Sequence, residues 1–287
     1  MDHPERQLRQ YRLDTFARHR ARVEVLVVLA SLLAYFGVRA ITEGSEDLAL
    51  RNAERVVRLQ EHLLLDWDMS LNQSVVEHTR LITVFNWIYT WGHWPVIFFC
   101  GIYLFVRFPR VYYRTRNAFL VSGAIGLVIF ATFPVAPPRL TDLDVVDTVT
   151  RWSTSYRFLQ PVALTNQYAA MPSLHFGWNL LIAVALVQVL RTPTLRILAG
   201  VFPLAMAAAV VITANHFVID AIVGGMIALL GLVAAIWFER SPHGWEIYRR
   251  LVPASGISEG TIPARPGPDQ HPPRVTTRRG SQSRGGK

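Results

Sequence analysis

The fold class this sequence predicts is all-α and integral to a membrane. The expected form is a six-transmembrane-helix bundle with an outer amphipathic helix and a disordered C-terminal tail. Three observations predict it. The 287 residues are 51% hydrophobic and only 17% charged, against about a quarter charged in soluble domains. The apolar residues gather in continuous charge-free runs, which favours spanning helices over a barrel of alternating strands. The 29 Lys and Arg residues, which leave a net charge of +9, flank those runs and fill the tail. That placement fits a bilayer surface and excludes nucleic acid as the partner.

The elements follow in order. Residues 1–22 carry six arginines and form a basic cytoplasmic N-terminus. Residues 23–240 form the membrane domain. Its first apolar run, 25–38, is 14 residues long and lies between Glu24 and Arg39. With Val38-Arg39-Ala40 behind it, the same run also reads as a signal peptide with a cleavage site. Residues 47–65 place Leu50, Ala53, Val56, Val57, Leu63 and Leu64 at helical spacing, with Arg51, Glu54, Arg55 and Arg58 interleaved. Such a helix either lies on the outer interface or packs as a cap on the bundle. Further charge-free runs cover 81–106, 117–138, 158–190 (of which about 172–190 would cross), 197–219 and 221–238. A bilayer core needs roughly 20 helical residues, so the chain reads as six spans.

Arginine placement sets the expected orientation. Arg107, Arg110, Arg114, Arg116, Arg191 and Arg196 fall on one side. Glu43, Glu46, Asp47, Asp66, Asp68, Asp142, Asp144 and Asp147 fall on the other. Both termini are therefore expected in the cytoplasm of a multi-pass cell-membrane protein. Residues 241–287 are rich in Pro, Gly, Ser and Arg and are expected to be a disordered cytoplasmic tail. The single cysteine, Cys100, sits in an apolar run and builds no disulfide framework.

Three polar features are expected on the outer face: the end of the third span (Phe133 to Arg139), the start of the fourth (Met171-Pro-Ser-Leu-His175) and the turn into the sixth (Ala214-Asn-His-Phe-Val-Ile-Asp220). His216 and Asp220 are four residues apart, on one helical face. The carboxylate can accept an imidazole N–H and leave the other nitrogen free to attack. His175 is then available as the acid that protonates a leaving alkoxide. Helix starts suit phosphate: Pro172 fits a first helical position, with Ser173 beside it, and Asn215 fits an N-cap. Arg139 can add a charge-assisted fork to phosphoryl oxygens. Ionisable groups in membrane segments are expensive and usually functional. On ligand type alone, His175, His216 and Asp220 also suit zinc, but the adjoining Pro-Pro-Arg favours an anion, and no metal or other cofactor is expected. His93 and Tyr89 in the second span, and Tyr168 before the serine–histidine motif, are candidate headgroup contacts; interhelical hydrogen bonding is the plainer reading of the first two. A transporter or proton relay built on buried histidines is the alternative function, although the candidates sit at span ends rather than deep in several spans.

PSLH, followed about forty residues later by NHFVID, resembles the type 2 phosphatidic acid phosphatase superfamily. The APPR turn, and asparagine rather than arginine beside the second histidine, are similar to the inositol phosphorylceramide synthase branch. The resemblance covers roughly residues 86–238. It implies a six-helix bundle, a phospholipid or lipid-phosphate substrate, metal-independent chemistry and a phosphohistidine intermediate. On that resemblance His216 is the nucleophile, Asp220 its orienting carboxylate and His175 the acid and base. The superfamily's phosphatases also carry Lys-x6-Arg-Pro ahead of the serine–histidine motif, and Ser-Arg shortly before the nucleophile. Here no lysine precedes Lys287, Pro138-Arg139 inverts the order, and the Ser-Arg positions hold Ala209 and Val210. Arg139, Ser173 and Asn215 are the expected substitutes in the phosphate clamp.

Overall fold

A computed structural model describes residues 3–41, 46–152 and 167–251. Among these residues the fold is helical and has no strand; one parallel bridge joins Val135 to Ala169. The helices are α1 (His3–Ile41), α2 (Glu46–Leu63), α3 (Asp68–Val76), α4 (Thr79–Trp91), α5 (Trp94–Arg107), α6 (Pro109–Thr132), α7 (Thr148–Trp152), α8 (Leu174–Val189), α9 (Pro193–Ile212), α10 (Val218–Arg240) and α11 (Pro242–Leu251). A single 3₁₀ turn, Pro138–Leu140, follows α6.

Among the described residues, α6, α9 and α10 are long and apolar enough to cross a bilayer, and the bent α4–α5 pair makes a fourth candidate. The expected count of six would also need α1 and α8. α8 is apolar but only 16 residues long. The 81–106 run is not one straight helix, because α4 and α5 meet at 47°. Pro95 has no N–H to continue the ladder. A Cβ on Gly92 would stand 2.3 Å from the Ile88 carbonyl and 3.0 Å from the Phe202 ring. The break puts His93, only 2% exposed, inside the bundle. Other boundaries also move. α6 starts eight residues before the charge-free run and ends at Thr132, because Pro134, Pro137 and Pro138 cannot extend it.

α10 lies at the centre, packed on α6 and α8, while α8 packs on α9. Glycines let the backbones touch. A Cβ on Gly224 would fall 2.1 Å from the Ser173 carbonyl oxygen, and one on Gly177 would fall 2.4 Å from the Gly224 oxygen. At the opposite end, Glu239 of α10 accepts from Arg110 and Arg114 of α6, each at 2.8 Å, and Arg116 donates to Glu24 of α1 at 2.8 Å. The arginines that signalled orientation thus also tie helix ends together by charge-assisted bonds.

α2 is packed onto the bundle rather than lying free. Ala49, Ala53 and Val56 join Val135, Ala136, Ala170, Phe217 and Ile219 in one buried cluster. Asn52 Nδ2 donates to the Pro134 carbonyl at 2.8 Å, and Ala136 N–H to that of Ala49 at 3.1 Å. The tail expected to be disordered from residue 241 begins instead with α11, whose Tyr248 packs on Tyr113. Residues 252–287 lie outside the described residues.

Candidate active site

The first and second of the three polar features meet through an extended pair. After α6 the chain runs beside residues 168–170: Val135 N–H donates to Tyr168 O at 2.8 Å, and Ala170 N–H to Val135 O at 3.1 Å. This lays the Ala170 carbonyl beside the turn between α9 and α10. That turn reverses direction at Ala214, which holds the left-handed φ of 56°, a conformation that strains a residue with a Cβ. Asn215 and His216 both donate their N–H to Val210 O, at 3.1 Å and 3.0 Å.

His216 is 5% exposed. Its Nδ1 lies 2.7 Å from the Ala170 carbonyl oxygen and 3.6 Å from Asp220 Oδ2. A carbonyl only accepts, so Nδ1 carries the proton and Nε2 holds the free lone pair. The expected direct bond to Asp220 is therefore replaced by a backbone one. Asp220 Oδ2 instead accepts the Phe217 N–H at 2.8 Å, and the carboxyl group stands 3.6 Å from the ring nitrogen without bonding it.

His175 is in the first turn of α8, with its ring centroid 5.7 Å from that of His216. Tyr89 stacks on it at 4.9 Å, and His93 lies 4.2 Å away. Asn179, one turn on, donates to the His175 carbonyl at 2.8 Å and sits 3.2 Å from His93 Nδ1. Among the described residues, His175 Nε2, Ser173 Oγ, Asn179 Oδ1 and Asp220 Oδ1 are buried with no hydrogen-bond partner, as are Thr90 Oγ1 on α4 and the Tyr248 hydroxyl on α11. Leaving such a group unpaired costs about 1–3 kcal/mol, so the four on the two segments that carry His175 and His216 call for a functional explanation.

The groups expected to bind an anion are arranged differently from that expectation. The N-cap of α10 is Phe217, not Asn215. The N–H groups of Val218 and Ile219 are taken by Asp68 Oδ1 and Gln60 Oε1, at 2.7 Å and 2.9 Å. The start of α10 is thus closed to phosphate. Asn215 instead accepts from Arg139 Nη1 at 2.9 Å through Oδ1 and donates to Thr213 through Nδ2. Arg139 is also fixed by its N–H to Ala214 O at 3.0 Å and by Asp147 Oδ2 at 3.5 Å. The start of α8 is open. No acceptor among the described residues takes the N–H of Leu174, His175 or Phe176, and Ser173 is the N-cap, with no side-chain capping bond. Pro172 sits ahead of that cap, not in the first helical position, and follows a cis peptide bond.

Of the candidate headgroup contacts, His93 and Tyr89 join His175, while Tyr168 does not. Tyr168 packs in the α2 cluster and bonds to Glu46; burial, and then the Glu46 carboxylate, raise its hydroxyl pKa. Sequence reasoning missed the Ala170 carbonyl, Asn179, Gln60 and the approach at Gly177 and Gly224. Asn179 stood one helical turn beyond His175 and could have been found by that spacing; a backbone carbonyl leaves no signal. Among the described residues no group of three His, Cys, Asp or Glu side chains is placed to hold a metal ion.

In comparisons with known proteins, the sequence model of the PAP2 superfamily matches residues 54–234. No curated protein matches the chain, and no solved structure does.

Proposed function

Because this chain belongs to the PAP2 superfamily, and phosphoester cleavage comes with that family, we propose that it is a membrane lipid phosphatase or phosphotransferase working through a phosphohistidine on His216. The observation that carries the reading is the pairing of imidazoles: His216 with Nδ1 tied to a carbonyl at 2.7 Å, and His175 facing it at 5.7 Å with an orphaned Nε2. Nε2 of His216 attacks phosphorus and the bond to the leaving oxygen breaks. Protonated His175 gives its proton to that oxygen. His175 then takes a proton from the acceptor, whose oxygen attacks phosphorus and releases His216. Asp220, 3.6 Å from Nδ1, offsets the positive charge that the ring gains on phosphorylation. The open N–H groups of α8, Ser173 Oγ and Arg139, which Asn215 aims, supply the phosphate clamp.

The catalytic domain of this reading is residues 23–240, between a basic cytoplasmic start and a basic cytoplasmic tail. The six-span topology with α2 as an outer cap, and the active site on the outer face, are supported by Arg107 at the end of α5 and Arg110, Arg114 and Arg116 near the start of α6, the end away from Arg139. The same groups serve water or a lipid alcohol as acceptor. The inositol phosphorylceramide synthase-like motifs tilt the proposal towards headgroup transfer, with hydrolysis as the background reaction.

The test is a panel of lipid phosphomonoesters and phosphodiesters with and without lipid-alcohol acceptors, with products identified by mass spectrometry. Transfer appears as a new phosphodiester lipid, and hydrolysis as free phosphate; neither product from any substrate contradicts the proposal. Turnover is expected to survive excess chelator. Loss that zinc restores would contradict the metal-free mechanism.

A further inference from the structure

We propose that Gln60 and Asp68, on the α2–α3 cap, are positioning residues: a polar clamp that holds the first turn of α10 and so fixes where His216 stands. The inference rests on the assignment of His216 above. Asp68 Oδ1 accepts the Val218 N–H at 2.7 Å, and Gln60 Oε1 accepts the Ile219 N–H at 2.9 Å. The Gln60 amide in turn donates to Asp68 Oδ2. Gln60 is 1% exposed and Asp68 6%. The turn joining the two residues holds Leu64 at a left-handed φ of 57°, which is strained for a bulky side chain and persists only where the surroundings enforce it. With Asp220 taking the Phe217 N–H, the N–H groups at the start of α10 are used by protein acceptors. Phosphate is thereby directed to the start of α8, opposite His216.

The clamp has a proton count. Ionised Asp68 accepts twice, Gln60 donates once and accepts once, and both α10 amides donate. Adding a proton to the carboxyl spoils this count. If it sits on Oδ2 it faces the Gln60 amide, donor to donor. If Gln60 flips to accept it, the amide faces the Ile219 N–H, again donor to donor. Either way one bond is lost. Burial pushes the Asp68 carboxyl up to about 6; the Gln60 amide and Val218 N–H pull it down, and Asp220 on α10 raises it further. Glu61, His62 and Asp66 nearby are exposed, and the only charged residue of α9, which also packs on α3, is Arg196 near its far end. The clamp therefore slackens as pH falls through about 6. Global stability moves the other way. A carboxyl that binds its proton more tightly in the folded chain stabilises the fold more as pH falls from about 6 to the ordinary 3.8. A loss of positioning with no fall in melting temperature separates the clamp from unfolding.

The experiment is amide hydrogen exchange at Val218 and Ile219 in the full-length protein in detergent micelles, corrected for intrinsic rates, beside the pH profile of kcat. In the native protein both amides are expected to exchange roughly tenfold faster at about pH 5 than at about pH 7.5. Asp68→Asn, which places an amide donor against Gln60, should exchange fast at every pH. Gln60→Glu should invert the profile, because two carboxylates share a proton in acid and repel each other in base; its kcat should fall towards alkaline pH with KM unchanged. If either variant fails to fold, the native profile and the other variant decide. Equal corrected exchange across the pH range in the native protein, or a Gln60→Glu profile matching the native one, overturns the clamp. His216→Ala is the control on the underlying reading. Turnover without His216 refutes that assignment whatever the amides do, whereas a dead His216→Ala beside an unmoved Gln60→Glu refutes the clamp alone.

Discussion

Replacing His216 with alanine is expected to lower turnover on the best lipid phosphate substrate by roughly ten-thousandfold or more, as loss of a covalent nucleophile does in enzymes whose groups act as a unit. Among the described residues no second imidazole bonds to the Ala170 carbonyl that sets the tautomer of His216. His93 is engaged instead with Asn179 at 3.2 Å. His175→Ala should cost a comparable factor, and the double variant should be little worse than either single one, because both remove the same step. The fold should survive. The His216 side chain gives up one hydrogen bond to a backbone carbonyl, a loss of about 1–3 kcal/mol. Folded protein with undiminished turnover in His216→Ala would remove the nucleophile from the account.

Gly224→Ala is expected to be the most damaging substitution away from the chemistry. The added methyl would stand 2.1 Å from the Ser173 carbonyl oxygen and 2.7 Å from its carbon. That neighbour is backbone, so no side chain can swing aside. α8 and α10 must move apart by more than an ångström, and this contact is what brings His175 to His216. Overpacking of this kind costs about 3 kcal/mol or more, and a displacement of this size at the site costs a further hundredfold or so in rate. Thermal unfolding in detergent and phosphate release should both fall sharply. Gly200→Ala is the control: a methyl there meets nothing within 4 Å, and helix propensity favours alanine by about 1 kcal/mol. Equal behaviour of the two variants would show that the glycine contact does not set the site.

The reach of sequence reasoning was uneven for physical reasons. Charge-free runs reported helices well, because burying backbone in lipid demands internal hydrogen bonds. They did not report where helices break. Gly92 and Pro95 split one run into α4 and α5, and the prolines after Thr132 stopped α6 short. The candidate site was legible where it rested on side chains at fixed spacing: His216 and Asp220 one turn apart, and His175 at a helix start. What the chain could not announce was backbone. The carbonyl that holds His216 belongs to Ala170, 46 residues away, and alanine carries no signal. Nor could Asn215 be told from an N-cap by type. Asn, Asp and Ser favour that place, yet here Asp68 and Gln60 reach over from the cap and make a side-chain cap at 215 unnecessary. Of the two helix starts expected to bind phosphate, only that of α8 thus keeps unpaired N–H groups among the described residues.

The most direct measurement is capture of the intermediate. Purified protein is mixed with its lipid phosphate substrate, quenched in alkali, where phosphoramidates survive, and its peptides are read by mass spectrometry. The account predicts a phosphoryl group on His216, more abundant in an acceptor-starved reaction and absent in His216→Ala. A phosphoryl group on any other residue, or full turnover with none trapped on His216, would contradict it.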